Sequence, residues 1–221
     1  MTVALYYHPF SSYCQKVLIA FYERDVPFEG VVIDLGDAAQ RAALERLWPV
    51  AKFPVLSDEA RGVTLPESSL IVEYLDRVHG GPPLVPAEPD AALEVHVLDR
   101  FFDNYVMTPM QKVVADNFRP EGQRDPYGVE ESKAQLDRAY AILDDKLADG
   151  RSWAAGDSFS LADCAAAPAL FYANLVQPFA GRSRAEAYYA RLRARPSFAR
   201  AVDEARPYRH FFPLPWAEGI D

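Results

Sequence analysis

The sequence predicts a two-part protein, with a mixed α/β unit first and an all-helical unit after it. Short extended runs alternate with helical periodicity only in the first third of the chain. The proline-rich stretch GGPPLVPAEPD follows, and beyond it we find no convincing strand pattern. We therefore predict an α/β domain over residues 1–79, a stiff linker over 80–90 and a helical domain over 91–221.

The first elements predict a β-α-β unit with a parallel strand pair. TVALYY at residues 2–7 forms a short extended run, and Ser11 is a natural N-cap for the helix that follows. The apolar positions of that helix recur at helical spacing and are Val17, Leu18, Phe21 and Tyr22. A second extended run, FEGVVID, begins after Pro27. Parallel strands need such a crossover connection.

The next elements complete the order βαβ-α-ββα. Residues 37–48 are helical in composition and stop before Pro49. FPVLSD and GVTLP, separated by a tight turn, predict an antiparallel pair. ESSLIVEYLDRVHG predicts a helix ended by Gly80 and Gly81. Its expected apolar face consists of Leu70, Ile71, Tyr74, Leu75 and Val78.

Helices are expected throughout the second unit. We predict a long helix over 91–118 that bends near Pro109, then helices over 129–148, 184–194 and 197–205. LADCAAAPALFY is apolar almost all round, which predicts a buried central helix. Ser160 and Asp163 at its start form an S-x-x-D capping box, a structural motif.

Composition limits the function classes. The 221 residues carry a net charge of −9, which disfavours nucleic acid and acidic membrane surfaces as partners. No apolar run approaches the roughly 18 residues of a membrane span, and no signal peptide is evident. The two cysteines make no disulfide framework, so we expect a cytoplasmic protein. The four histidines lack zinc-ligand spacing, and we expect no metal.

Four segments in this order resemble the glutathione transferase superfamily: SSYCQKV, KFPVL, PESSLIVEYL and SFSLADCAAAP. The serine pattern is most similar to the serine-type classes (theta- and zeta-like or a related bacterial class). The resemblance implies a thioredoxin-like N-terminal domain and an all-α helical bundle. It also implies glutathione as co-substrate, a small apolar electrophile as second substrate, and a homodimer.

The resemblance makes Ser11 the expected catalytic residue, donating a hydrogen bond to the glutathione sulfur. From the local residues alone, a plain N-cap is the simpler interpretation of Ser11, and the other family-like segments favour the catalytic one. The other candidates are Ser12, Cys14 and Tyr7. Ser11 to Cys14 resembles a redox C-x-x-C whose first thiol is a hydroxyl, and dithiol exchange needs both sulfurs. We therefore expect Cys14 to be a buried, inert thiol, with a nucleophilic role as the alternative.

Five further positions are implied to bind glutathione. Lys52 would meet the glycyl carboxylate, and a cis bond between Phe53 and Pro54 would turn the Phe53 backbone toward the cysteinyl unit. Glu67 and Ser68, at the start of the third helix, would bind the γ-glutamyl end. The simpler interpretations are a solvated lysine and ordinary first-turn helix chemistry.

An apolar pocket for the electrophile is expected between the domains. Its candidate lining residues are Phe10, Tyr105, Met107, Met110 and Phe211, with Phe212 and Trp216 from the aromatic tail. The tail either covers this pocket or packs on the surface.

Two rival functions remain open. One is a different glutathione-dependent reaction on the same scaffold, a zeta-like isomerisation or a peroxide reduction. The other is a non-catalytic binding or assembly module, which would tend to lose the residues that contact glutathione.

Overall fold

The N-terminal half is built on a four-stranded mixed sheet. The structure, a computed structural model, describes residues 3–179 and 181–216. The strands are β1 (Val3–Tyr7), β2 (Phe28–Val32), β3 (Val55–Asp58) and β4 (Val63–Pro66). Their order is β2-β1-β3-β4, with β1 parallel to β2 and antiparallel to β3, and β3 antiparallel to β4. The predicted β-α-β unit and the antiparallel hairpin are therefore confirmed.

Three helices cover the two faces of this sheet: α1 (Ser12–Glu23), α2 (Ala38–Leu47) and α3 (Ser68–Val78). α1 and α3 bury their apolar sides in the main core, whereas α2 closes a small second core with Ile33, Leu44 and Val55. One expected core position is wrong: Leu70 is 48% exposed, while Ile71 and Leu75 are fully buried. The apolar side of a helix can be wider than the area that packs against its neighbour. Periodicity alone therefore places Leu70 on the buried side although it lies outside that area.

The second half is helical. Its helices are α4 (Pro89–Phe101), α5 (Thr108–Asp116), α6 (Pro126–Lys146), α7 (Leu161–Val176), α8 (Ser183–Arg193) and α9 (Pro196–Ala205). In the described part of this half, the only β contact is an isolated bridge between Trp153 and Gly156. α7 is the expected central helix, because every residue from Leu161 to Ala173 is buried. Met1, Thr2, Ala180 and residues 217–221 of the predicted domains lie outside the described residues.

The long helix expected over residues 91–118 is interrupted earlier than its proline suggests. A π-helical turn over Phe102–Met107 separates α4 from α5, and Pro109 stands in the first turn of α5. Proline lacks an N–H and its ring crowds the preceding turn, so the helix must widen before it. The carbonyl of Asp103 accepts both the Thr108 amide and, at 3.0 Å, the Thr108 hydroxyl.

The segment predicted as a linker over residues 80–90 is hydrogen-bonded to both halves, and on the helical side the Leu161 amide donates to the Leu84 carbonyl at 2.8 Å. α4 already begins at Pro89, inside that range. Arg24 at the end of α1 donates to the carbonyls of His79 and Pro82, both at 2.5 Å. Asp76 accepts from the amides of Leu84 and Val85 at 2.8 Å. The side chains of α1 and α3 thus hold the connection in one path.

The capping box at the start of α7 is present. The amide of Ser160 donates to Asp163 at 2.9 Å, and the Ser160 hydroxyl donates to the same oxygen. The other carboxylate oxygen of Asp163 accepts from the Ala154 amide at 2.9 Å and the Tyr188 hydroxyl at 2.6 Å. The residue therefore ties the loop before α7 and helix α8 to the central helix, a structural role.

A buried ion cluster joins the two halves. Lys16 of α1 is 1% exposed, and its ammonium lies 2.7 Å from Asp99 of α4 and 2.8 Å from Asp103 in the π-helical turn. Ser69 of α3 donates to Asp99 at 2.7 Å. Arg100 pairs with both carboxylates from the solvent side, at 2.6 and 2.7 Å. A buried charge is costly unless paired, so this cluster favours one placement of the halves.

We predict that Lys16→Met destabilises the protein by about 3 to 5 kcal/mol, because it leaves two buried carboxylates short of a cation. The control is Lys133→Met, which removes a pair at 3.0 Å on the surface and should cost about 1 kcal/mol or less. Urea unfolding of both variants measures the difference.

The destabilisation caused by Lys16→Met should shrink as the pH is lowered from about 7 to about 4. Without the ammonium, the folded-state pKa of the carboxylates rises above the unfolded value. The folded variant is then favoured at low pH and loses stability as the pH increases. A penalty that stays constant over this range contradicts an electrostatic role for Lys16.

Candidate active site

A polar cavity of about 270 Å³ lies between the two halves. All five residues predicted to bind glutathione line it, namely Lys52, Phe53, Pro54, Glu67 and Ser68. Seven residues outside that set complete the lining: Tyr13, Trp48, Pro66, Arg100, Asp103, Asn104 and Gln111. The cavity therefore has one wall from the sheet edge and α3 and another from the helical half.

Local backbone geometry positions the side chains of the sheet-side wall. The peptide bond between Phe53 and Pro54 is cis, as the resemblance implied. Glu67, just before α3, has φ 74° and ψ 114°, a conformation that is rare for a non-glycine residue. Its carboxylate makes no capping bond to α3. Strain of about 1 to 3 kcal/mol at a cavity wall is typical of ligand-binding positions.

The cavity carries both signs of charge. Lys52 and Arg100 supply cations, while Glu67 and Asp103 supply carboxylates. Burial raises the pKa of Asp103 above its usual range, although the neighbouring Lys16 acts in the opposite direction. Ser68 adds the N-terminus of α3, where unpaired amides favour an anion. This arrangement suits a zwitterionic ligand with carboxylates at both ends.

A second cavity, of about 470 Å³, adjoins the first and is mainly apolar. Ser11 and Ser12 line it at the N-terminus of α1, together with Phe10, Met110 and Phe211 of the predicted electrophile pocket. Its remaining lining residues are Gln111, Val114, Ala115, Phe118, Tyr172 and Phe212. The described lining of the two cavities has one residue in common, Gln111.

Ser11 is the N-cap of α1 and faces the apolar cavity. Its hydroxyl oxygen accepts from the Cys14 amide at 3.4 Å, while its own amide donates to the His8 carbonyl at 3.0 Å. Because the oxygen acts as the acceptor in the cap, the hydroxyl hydrogen remains available to a ligand. The helix N-terminus also favours negative charge beside it. The N-cap interpretation and the sulfur-binding interpretation of Ser11 are therefore compatible.

The structure separates the other catalytic candidates. Ser12 is the first residue of α1 and lines the same apolar cavity. Cys14 is fully buried, and this burial raises the pKa of its thiol to about 12. Tyr7 lines a different cavity, with Tyr22, Phe28 and Glu204 among its neighbours. Neither Cys14 nor Tyr7 is among the residues that line the two cavities described above.

Two of the five residues predicted for the electrophile pocket lie elsewhere. Tyr105 is 62% exposed and lines a surface groove with Phe101 and Ile142. Met107 is 2% exposed in the main core. The π-helical turn over Phe102–Met107 changes which way these side chains point, and no sequence pattern predicts that turn.

The aromatic tail covers the apolar cavity, at least as far as Trp216. Phe211 and Phe212 line the cavity, and Trp216 packs behind them against Phe171, with ring centroids 5.8 Å apart. His8, which the sequence did not single out, holds this segment. Its ring packs edge-on against Tyr208 and Phe211, with ring centroids 4.6 and 5.8 Å apart.

The imidazole of His8 also accepts from the Phe10 amide at 3.2 Å through Nδ1. Burial lowers the pKa of His8, which favours the neutral ring that this acceptor role requires. A lone histidine beside a proline carries no sequence signal for such a role, because its partners are about 200 residues away.

Within residues 3–179 and 181–216, no cluster of three or more His, Cys, Asp or Glu side chains is placed to hold a metal ion. Nor does that part of the chain contain a helix long and apolar enough to cross a membrane.

The mixed sheet, the cis proline before β3 and the interdomain cavity define a thioredoxin-like domain joined to a helical domain. Comparison with known proteins agrees with this class. Residues 5–83 match the family model "Glutathione S-transferase, N-terminal domain", and residues 126–194 match "Glutathione S-transferase, C-terminal domain".

Individual relatives span nearly the whole chain. A glutathione S-transferase of Silene vulgaris is 28% identical over 91% of this chain and 97% of its own length. A stringent starvation protein A homolog of Haemophilus ducreyi is 30% identical over 88% of this chain and 87% of its own length. A crystal structure of a Methylobacterium radiotolerans glutathione S-transferase, in complex with glutathione sulfonate, is 30% identical in sequence and has a TM-score of 0.79. The match covers 91% of this chain and 95% of that one. The chain therefore belongs to the glutathione S-transferase superfamily.

Both cysteines should be unreactive in the folded protein. Cys14 and Cys164 are fully buried, and burial raises the pKa of each thiol, so the reactive thiolate is scarce. An aromatic disulfide reagent at neutral pH should label neither residue until denaturant is added, as measured by absorbance and peptide mapping. Rapid labelling of native Cys14 would restore the nucleophile alternative.

Proposed function

We propose that this protein is a serine-type glutathione transferase that conjugates the glutathione thiolate to a small apolar electrophile. One observation carries the proposal. A polar cavity with charges of both signs adjoins an apolar cavity, and Ser11 lies at the N-terminus of α1 beside the apolar cavity. The relative from Methylobacterium radiotolerans, solved with glutathione sulfonate, supports glutathione as the ligand of the polar cavity.

In this proposal the polar cavity binds glutathione along its length. Lys52 attracts the glycyl carboxylate, and Trp48 lines the same cavity. The Phe53 backbone pairs with the cysteinyl unit like an added strand. At the γ-glutamyl end, Glu67 accepts from the ammonium and Ser68 at the α3 N-terminus binds the carboxylate.

Arg100 and Asp103 extend the γ-glutamyl site from the helical half. The Arg100 side chain is paired with Asp99 and Asp103 and lies at the cavity wall. Its guanidinium adds positive charge for the γ-glutamyl carboxylate, and Asp103 adds negative charge for the ammonium. Glutathione would thereby contact both halves of the chain.

The chemistry is activation of a thiol followed by nucleophilic attack. Ser11 donates its hydroxyl hydrogen to the sulfur, and the α1 N-terminus adds a favourable field, so the glutathione thiol loses its proton to solvent more easily. The thiolate then forms a carbon–sulfur bond in the apolar cavity, and the leaving group departs with its electron pair. Holding both reactants side by side supplies a further part of the rate.

One observation favours a second candidate. The 30% identical relative from Haemophilus ducreyi carries the name stringent starvation protein A homolog, so family membership alone does not fix the activity. A non-catalytic module would still bind glutathione, or would have lost that site, and would show no turnover. The buried Cys14 argues against peroxide reduction through a protein thiol, while isomerisation needs a product assay.

We also propose a homodimer in the cytoplasm. α4 presents Leu93, Val97 and Phe101 at four-residue spacing, and the first two are exposed, as is Ile142 of α6. Such an apolar stripe along the outer side of a helix is typical of a protein interface. The free, buried cysteines fit a reducing compartment.

We predict that Ser11→Ala lowers kcat/KM for a chlorodinitrobenzene about 100-fold at saturating glutathione, because one donor to the developing anion is lost. The same substitution should cost about 1 kcal/mol of stability through the lost N-cap. Ser11→Gly removes the hydroxyl but keeps most of the capping preference. Equal loss of turnover in both variants assigns the effect to chemistry.

Ser12→Ala and glutathione binding by calorimetry complete the test. If Ser12→Ala alone abolishes turnover, the neighbouring hydroxyl is the catalytic one. If the wild type binds glutathione but turns over no electrophile, the non-catalytic candidate gains. If it does not bind glutathione at millimolar concentration, the proposal fails.

Val97→Glu should weaken the dimer, because it places a charge in the apolar stripe. Sedimentation of the wild type should give about twice the 24.7 kDa of one chain, and the variant should approach the single-chain value. Tyr127→Glu, which adds the same charge at an exposed aromatic outside the stripe, is the control. A monomeric wild type refutes the dimer.

A further inference from the structure

The four residues that precede α1 end on Ser11, and each of their backbone carbonyls accepts a hydrogen bond. The His8 carbonyl accepts from the Ser11 amide at 3.0 Å, and the Ser11 carbonyl accepts from the Gln15 amide at 2.8 Å. These two bonds belong to the backbone of the helix start. The carbonyls of Pro9 and Phe10, which lie between them, accept from side chains instead.

Gln15 and Tyr172 supply those two side-chain bonds. The carboxamide of Gln15 donates to the Pro9 carbonyl at 3.0 Å and to the Tyr172 hydroxyl at 3.1 Å. The Tyr172 hydroxyl in turn donates to the Phe10 carbonyl at 3.0 Å. Gln15 belongs to α1 and Tyr172 to α7, so the segment that leads to Ser11 is held between the first helix and the central helix of the helical half.

Both side chains are buried, so water does not compete for these bonds. Gln15 is 0% exposed and Tyr172 is 4% exposed. Burial raises the pKa of the Tyr172 hydroxyl, which therefore keeps its proton and remains a donor. The Gln15 carbonyl oxygen has no hydrogen-bond partner within the described residues, which is unfavourable for a buried acceptor. Core packing alone therefore favours methionine at this position, and glutamine adds the two donors.

The N-cap bond by itself fixes the Ser11 hydroxyl only weakly. Its oxygen lies 3.4 Å from the Cys14 amide nitrogen, which is longer than the usual hydrogen-bond range. The position of the hydroxyl therefore depends mainly on the backbone that carries it. A displacement of about 1 Å in a catalytic group can lower a rate about 100-fold, so this backbone matters to the proposed chemistry.

We propose that Gln15 and Tyr172 are positioning residues for Ser11: by holding the carbonyls of Pro9 and Phe10, they place the Ser11 hydroxyl beside the glutathione sulfur. The inference rests on the proposed transferase function and adds to it a part for the helical half. The Tyr172 ring lines the apolar cavity, whereas its hydroxyl is directed to the backbone before α1. α7 thereby contributes to thiol activation through Ser11.

The test follows the pKa of the glutathione thiol in the complex, measured by the ultraviolet absorbance of the thiolate as the pH is raised. Tyr172→Phe removes one hydroxyl and keeps the ring, while Gln15→Met removes both donors and keeps the length. Each variant should raise the thiol pKa by about half a unit to one unit and lower kcat/KM at neutral pH about three- to tenfold, because a displaced hydroxyl stabilises the thiolate less. The Kd of S-methylglutathione, which has no thiol, should stay within about twofold.

Tyr140→Phe is the matched control. The Tyr140 hydroxyl is also buried and donates to a backbone carbonyl, that of Gln177, at 3.0 Å. Tyr140 is not among the residues that line either cavity of the site. The control should lose a comparable amount of stability in urea and leave the thiol pKa unchanged. An equal shift of the thiol pKa in Tyr140→Phe overturns the inference, because general destabilisation would then account for it.

The same variants in a Ser11→Ala background separate the inference from the proposed function. Ser11→Ala alone should raise the thiol pKa more than either single variant. Adding Tyr172→Phe or Gln15→Met to it should cause no further shift, because both residues act through the Ser11 hydroxyl. A full second shift, or no shift in the two single variants, overturns the inference and leaves the transferase standing.

No shift in Ser11→Ala itself refutes the serine-type mechanism and, with it, the inference. A wild type that binds neither glutathione nor S-methylglutathione at millimolar concentration also overturns both. If Gln15→Met does not fold, Tyr172→Phe decides the outcome, since it removes a single oxygen atom.

Discussion

The ammonium group of Lys16 is the contact on which the join between the two domains depends. It lies 2.7 Å from Asp99 and 2.8 Å from Asp103, whose helical segments come more than 80 residues later in the chain. Charges buried this deeply are tolerated only when each meets its partner. The cluster therefore selects one docking of the helices on the sheet, and both cavities take their shape from that docking.

The site divides its tasks between two helix N-termini. The α3 terminus, with Ser68 and the strained Glu67, faces the polar cavity, while the α1 terminus, with Ser11, faces the apolar one. Each terminus favours negative charge for the same reason, namely unpaired amides and an aligned dipole. In the proposed function one would hold a carboxylate and the other a thiolate, so a single structural device would serve binding and catalysis.

Much of the fold could be predicted because its signals are local. Periodicity and proline positions predicted the order of elements. Two of the four family-like segments, KFPVL and PESSLIVEYL, contain the five predicted residues that line the polar cavity. Two kinds of feature were missed, namely contacts between distant parts of the chain and one local change of helical register. Arg100 and Asp103 look like ordinary solvated charges in sequence, and their role appears only when α4 meets α1. Tyr105 and Met107 were misplaced because a π-helical turn shifts the helical register.

The Lys16 cluster also limits which helical halves of related proteins can be joined to this N-terminal half. The linker is a natural crossover point for exchanging the helical half with that of a relative, since it carries none of the cluster residues. Yet a lysine transplanted away from its two aspartates, or the aspartates away from the lysine, would bury uncompensated charge. A viable chimera must therefore carry complementary charges on α1, on α4 and in the π-helical turn, so these three positions determine which halves can be combined.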